Sequence, residues 1–225
     1  MLAFLMAGYL AAAAAPSPLE LARDRQDRPA LQKLLADAMA TAAKAPRDAA
    51  AQYHAALTAS YAAEVALEVR DKKAAEDAAL KGIQAAERAI ALNPKSAPNY
   101  VVMATLCGQV IPANILMGIS YGKRAKDSVE KAIATDPRLS SAYEARGVGS
   151  YYLPAGFGGG YDLAVADFRK AIELDPKNAE AYLWLGLSLR KQNKDAEARQ
   201  AFARSLEIDP NRVWAKQQLD KTPAK

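Results

Sequence analysis

Few residues of this chain stand where they could do chemistry. Gly118-Ile-Ser120-Tyr-Gly122 spells the G-x-S-x-G pattern of a nucleophile elbow, in which a strand enters, a helix leaves, and backbone strain presents the serine. The segment before it has helical patterning, and the single histidine, His54, precedes the serine in the chain, opposite to the order of that hydrolase architecture. Acyl transfer is therefore not expected. Gly156-Phe-Gly-Gly-Gly160 runs into a helical pattern, where free N–H groups could cradle a phosphate. It lacks the lysine of a P-loop and joins two helices, so it reads as a flexible interhelix turn capped by Asp162. Cys107 falls at an apolar helix position and reads as a small buried hydrophobe. One cysteine and one histidine exclude an intrachain disulfide and a Cys/His zinc site. Glu64, Glu68 and Glu76 read as solvated helix faces with i,i+4 partners, not as metal ligands. The expectation is a chain with no catalytic residues, no cofactor and no metal.

Composition narrows the class further. Of the 225 residues 51% are apolar and only 7% aromatic, and alanine, the best helix former, carries much of the apolar share. An all-α protein is expected. The net charge of +5 raises the question of nucleic acid, but the basic residues alternate with acids, as in Arg23-Asp24-Arg25-Gln26-Asp27-Arg28, and no basic block exists. Residues 1–15 form an uncharged apolar run ending in alanines before Pro16-Ser17-Pro18, the pattern of a secretory signal with a small-residue cleavage site, although it lacks a basic n-region. The run is shorter than the ~20 residues a spanning helix needs, and no cysteine follows to accept a lipid. An exported protein, periplasmic or secreted and without a stable membrane span, is expected, its mature end between Ala12 and Pro18.

The elements that position all these residues come from an internal repeat. Ala171-Ile-Glu-Leu-Asp-Pro176 and Ser205-Leu-Glu-Ile-Asp-Pro210 end in prolines 34 residues apart, and Ala132-Ile-Ala-Thr-Asp-Pro137, Ala89-Ile-Ala-Leu-Asn-Pro94 and Ala45-Pro46 close in the same way. Each proline stops a helix, because the residue before it is pushed out of the α region. In the unit before Pro210, Tyr182, Leu185, Gly186 and Leu189 make one face of a preceding helix; Tyr143 with Gly147, and Tyr100, Met103, Ala104 and Cys107, repeat it in earlier units. Small residues at Gly186 and Ala198 let the two helices of a pair approach. The other spacings exceed 34, and the surplus falls in 108–122 and in 153–161, read as inserted loops that interrupt neither helix and are dispensable for folding.

Two helices in 34 residues with this residue set resemble the tetratricopeptide repeat. The resemblance implies an all-α, right-handed superhelical solenoid of helical hairpins with long inserted interhelix loops. Its frame divides the chain into a signal peptide (1–15), a helical cap or degenerate repeat (16–46), an elongated hairpin (47–96), repeats with inserted loops (97–139 and 140–178), a regular repeat (179–212) and a capping helix with tail (213–225). The long loops are similar to those of exported bacterial tetratricopeptide proteins such as the helical partners of tripartite transporters, and more distantly to the regulator of microtubule dynamics family. That resemblance implies a non-catalytic protein- or peptide-binding scaffold of the cell envelope. The alternative it implies is a periplasmic carrier of a small amphipathic ligand, with the inserted loops as a lid.

In such repeats the first helices line a concave groove. That register assigns to the groove His54, Thr58 and Tyr61, then Val101 and Thr105, then Glu144, Val148 and Tyr151, then Leu183, Leu187 and Arg190. Leu183 and Leu187 lie outside the Leu185 face, so they are expected to present an apolar strip to solvent, a partner or the terminal helix.

Overall fold

The computed structural model describes residues 15–224, so the expected signal segment lies, but for its last residue, outside the described residues. Its alanine-rich sequence forms eleven α-helices among those residues: α1 (Pro18–Asp24), α2 (Arg28–Lys44), α3 (Ala49–Glu68), α4 (Lys72–Leu92), α5 (Ala97–Val110), α6 (Gly118–Thr135), α7 (Ser140–Tyr152), α8 (Tyr161–Leu174), α9 (Ala179–Lys191), α10 (Asp195–Ile208) and α11 (Val213–Asp220). Their boundaries have local causes. Asp27, Asp48, Asp71 and Asn178 each accept a backbone N–H of the first turn of the helix that follows, and Ser17 with Glu20 closes a capping box on α1. The helices α2, α4, α6, α8 and α10 each stop within two residues of a proline of the repeat phrase.

The helices pack in successive pairs, α3 with α4, α5 with α6, α7 with α8 and α9 with α10, while α2 serves as the second helix of an incomplete first unit against α3. Close approach within a pair depends on glycine. A Cβ on Gly147 would stand 2.7 Å from the ring of Phe168, and one on Gly186 would stand 2.6 Å from the ring of Phe202. Consecutive units are tied by buried amides. Gln52 donates to the carbonyl of Ala42 at 2.8 Å and Asn99 to that of Ala89 at 3.0 Å, each satisfying the C-terminal end of the helix before it.

Two apolar cores result. An alanine-rich one runs through α2 to α5, from Ala38 to Val110, and a leucine- and phenylalanine-rich one runs through α8 to α10 and onto Ala215 of α11. Between them α6 buries only Val129 and Ala132, and α7 only Ala142 and Gly147.

The inserted segments differ from the reading above. Most of 108–122 is helical: α5 runs on to Val110, which is fully buried, Gln109 donates to the carbonyl of Ser60, a 3-10 turn spans Ile115–Met117, and α6 already begins at Gly118. Extra residues here lengthen both helices, because apolar and amide side chains at 109 and 110 find partners on α3 and in the core. The glycine-rich turn is tightly built too. Gly158 and Gly160 take φ of 83° and 126°, the N–H of Gly160 donates to the carbonyl of Ser150 at 2.8 Å, and Gly160 rather than Asp162 stands at the N-cap of α8.

Gly186→Ala should therefore destabilise the chain by ~1–3 kcal/mol through collision with Phe202, even though alanine is the better helix former. The exposed Gly149 of α7 meets nothing within 4 Å, so Gly149→Ala should stabilise by ~0.5–1 kcal/mol. Urea unfolding of the two variants checks this opposition of signs.

Candidate functional site

The first helices of the units, α3, α5, α7 and α9, stand side by side, and curvature of the stack carries the start of α11 back to the C-terminal half of α3. Arg212, immediately before α11, marks the meeting point: its guanidinium is fully buried. It donates to Glu180 of α9 at 2.6 Å and to Glu64 of α3 at 2.6 Å, and it bonds Glu68 one helical turn further on. Glu64 and Glu68 are thus not the solvated face read from the sequence. Four residues apart on one side of α3, they point into the concavity, and only Glu76 of that trio sits at the surface, paired with Lys73.

A second arginine enters the same centre from α1. Arg23 bonds its neighbour Asp24 at 2.7 Å, approaches Glu180 at 3.7 Å and Asp209 at 3.9 Å, and lies over the Tyr61 ring at 4.7 Å. Glu144 of α7 completes the group, held by the amide of Asn178 at 2.8 Å. Six carboxylates, those of Asp24, Glu64, Glu68, Glu144, Glu180 and Asp209, share two guanidinium groups.

This imbalance sets the protonation of the site. Burial pushes the Glu64 carboxyl up to about 8, against the pull of Arg212 and with the help of Glu180. Burial and then Glu180 push Glu144 up to about 7, and burial lifts Asp24 to about 6. Glu180 goes the other way: burial alone would raise it, but Arg212 and Arg23 beside it outweigh that and hold it below the usual range. The guanidinium of Arg212 is held charged by Glu180, Glu64 and Glu68 despite its burial.

Of the groove residues read from the sequence, the structure brings His54, Thr58 and Tyr61 together on α3, along a cavity of about 430 Å³ whose other wall is Pro18, Leu19 and Glu20 of α1. Thr58 is itself fully buried, its hydroxyl donating to the carbonyl of His54 at 2.8 Å. Val101 and Thr105 are half-buried on α5, and Thr105 likewise donates to Val101. Glu144 faces the ionic centre. Val148 packs on the C-terminal core, and Tyr151 joins an aromatic group with Tyr152, Tyr161 and Trp184 at 5.0, 5.4 and 5.6 Å between ring centroids.

Leu183 and Leu187 require correction. They are 0% and 4% exposed, less than Leu185 at 9%, and all three belong to the C-terminal core with Trp214 and Leu219 of α11 around it. Leucines at 183, 185, 187 and 189 cover every side of α9, and a helix that is apolar all round is enclosed all round. Arg190 is engaged as well, donating to the side chain of Gln218 at 2.8 Å and to Thr222 at 3.2 Å, so it clamps the end of α11.

Sequence reasoning missed Arg23, Glu180 and Arg212 and misread Glu64 and Glu68. The one available signal was positional: Arg212 stands 34 residues after Asn178, at the same place in the repeat, and Asn178 too reaches a glutamate of an earlier first helix. The serine of the elbow-like pattern lies in the first turn of α6 and donates to the carbonyl of Met117, with no strand before it among the described residues. Cys107 is buried beside Met103 at 3.8 Å, and burial pushes its thiol up to about 11, away from nucleophilic or metal-binding use.

Comparison with known proteins agrees with this geometry. A tetratricopeptide repeat model matches residues 155–213, and the family model of regulator of microtubule dynamics protein 1-3 matches residues 19–153, more than half of the chain. The chain belongs to the regulator of microtubule dynamics protein 1-3 family. Among solved structures, the tetratricopeptide repeat protein TTC0263 of Thermus thermophilus is 18% identical, with 91% of this chain and 96% of that one covered at a TM-score of 0.64, and shares the fold. PilF of Pseudomonas aeruginosa is 18% identical over 76% of this chain and 68% of its own, at a TM-score of 0.48, and no argument rests on it. No curated protein matches the sequence. The fold is that of tetratricopeptide solenoids, which are in general non-catalytic protein-interaction scaffolds, and no helix among the described residues is long and apolar enough to cross a membrane.

Two consequences can be measured. Arg212→Ala strands Glu64, Glu68 and Glu180 without their shared cation and should cost about 3–5 kcal/mol at pH 8, less at pH 5 where the freed carboxyls take up protons; chemical unfolding at both pH values reads the difference. For Glu144 the folded carboxyl titrates near 7 against an ordinary value of 4.5, so its contribution to stability is complete below about 4.5 and is lost as pH rises through 7. Glu64 and Asp24 act in the same direction. Melting temperature should fall from pH 5.5 to 8.5, and Glu144→Gln, which keeps an acceptor for Asn178, should fall less.

Proposed function

We propose that this chain is a non-catalytic interaction scaffold of the cell envelope whose concave face, walled by α3, α5, α7 and α9, receives a segment of a protein partner. The observation that carries the reading is what the first helices aim at that face. In a solenoid held by packing alone they would present inert surface, whereas here α3, α7 and α9 direct Glu64, Glu68, Glu144 and Glu180 inward, beside an unfilled cavity edged by His54 and Tyr61. Charged and aromatic side chains at the centre of a concavity are the means by which a groove selects a peptide. A small amphipathic ligand is the weaker reading, because ion pairs rather than an apolar chamber fill the centre. The envelope location rests on the uncharged apolar run of residues 1–15 and the small residues that end it.

A photo-crosslinking residue at His54, on the rim of the cavity, should capture a defined protein in cells of the native source, with the adduct mapping to one segment of it. The same residue at Lys126, exposed on a second helix, should not. Equal capture at both positions would remove the groove from the reading. N-terminal sequencing of the native protein should begin between Ala12 and Pro18, and an intact Met1 would remove export.

A further inference from the structure

Within the concave face one short helix is held unlike the others. The seven residues of α1 are not part of a helix pair. They bury only Leu19 and Ala22 as apolar side chains, against Leu31 and Val65 with Tyr61 and Leu57 alongside, and otherwise rest on Arg23 in the carboxylate centre. The turn that joins α1 to α2 passes through Gln26 in the left-handed region at φ 54°, an uncommon conformation for a residue with a side chain. Beside α1 the cavity of about 430 Å³ is left unfilled, so the face accommodates more side-chain volume than α1 supplies. If α1 left, Arg23 and Asp24 would go together, and Glu64, Glu68, Glu144, Glu180 and Asp209 would face Arg212 alone.

We propose that α1 is an intrachain stand-in for the partner: the concave face takes a short amphipathic helix with leucine at one position, a small residue three later and arginine at the fourth, and α1 covers the site until such a helix displaces it. The proposal rests on the scaffold reading above and names the chemistry of its partner segment. Leu19 supplies the apolar anchor, Ala22 the close approach to α3, and Arg23 the cation, stacked on Tyr61 and aimed at Glu180 and Asp209. Charge complementarity favours a competitor more basic than α1 itself. Asp24 neutralises part of the Arg23 charge within α1, so a partner helix with a neutral residue there meets the same wall with its cation free.

The test uses the full chain and a fluorescein-labelled peptide of residues 16–27. In the full-length variant Leu19→Ser/Arg23→Ala, which loosens α1 without shortening the chain, the peptide should bind at least tenfold more tightly than it binds the unaltered chain, by fluorescence anisotropy. Arg23→Ala in the peptide should weaken binding at least tenfold, and Asp24→Asn in the peptide should strengthen it. A variant that keeps the helical circular dichroism and cooperative melt of the unaltered chain yet binds no peptide overturns the proposal. So does a variant that loses its cooperative melt, since α1 would then be part of the folding core rather than an occupant. Either failure leaves the scaffold reading standing if crosslinking at His54 still captures a partner, whereas peptide binding without any capture at His54 separates the two in the other direction.

Discussion

A guanidinium with no exposure to water decides the form of this molecule. Solenoids are quasi-one-dimensional, each repeat touching only its neighbours, so their two ends fold and fray independently. Arg212 breaks that rule by joining α3 to the start of α11 across 148 residues. Removing such a charge from water costs several kcal/mol, and the cost is offset only because three carboxylates from two helices converge on it with hydrogen-bonding geometry. The bond is directional as well as strong. It fixes the curvature of the stack, since a small change in the angle between successive pairs would carry Glu64 and Glu68 out of reach.

The rest of the structure is arranged around that closure. The alanine-rich core of α2 to α5 and the leucine- and phenylalanine-rich core of α8 to α10 meet through α6 and α7, which bury few side chains. With so little packing at the waist, the ionic centre is the other connection between the halves. Its excess of acid keeps it from being a neutral lock. Glu64 and Glu144 rest near the point where they gain or lose protons under ordinary conditions, so the concave face changes charge where a rigid apolar interface would not.

The inserted segments illustrate how a repeat frame misleads when it is treated as rigid. Counting beyond 34 residues locates the surplus at 108–122 and 153–161, but counting cannot say whether surplus becomes loop or longer helix. Val110 and Gln109 settle it for the first segment by finding burial and the Ser60 carbonyl. The second is settled by two glycines whose positive φ angles close a turn onto Ser150. What these segments leave at the surface is apolar: Ile115, Leu116, Ile119 and Phe157 are each more than three-quarters exposed.

The repeat itself was legible because its determinants are local. A proline that ends a helix, an aspartate that caps one, and a glycine placed for Phe202 act within a turn or within one pair, and 34-residue spacing makes them recur. The groove register was legible in part, since His54, Thr58 and Tyr61 do share one side of α3 beside a cavity, whereas Leu183 and Leu187 were assigned outward when four alternating leucines already declared α9 enclosed. The ionic centre was not legible at all. Glu64 and Glu68 have the i,i+4 spacing of any solvated helix face, and Arg212 has the form of an ordinary polar residue after a proline. Their meeting depends on small angles between successive helix pairs accumulated along the stack, a quantity set by the packing of every pair and written at no single position of the sequence.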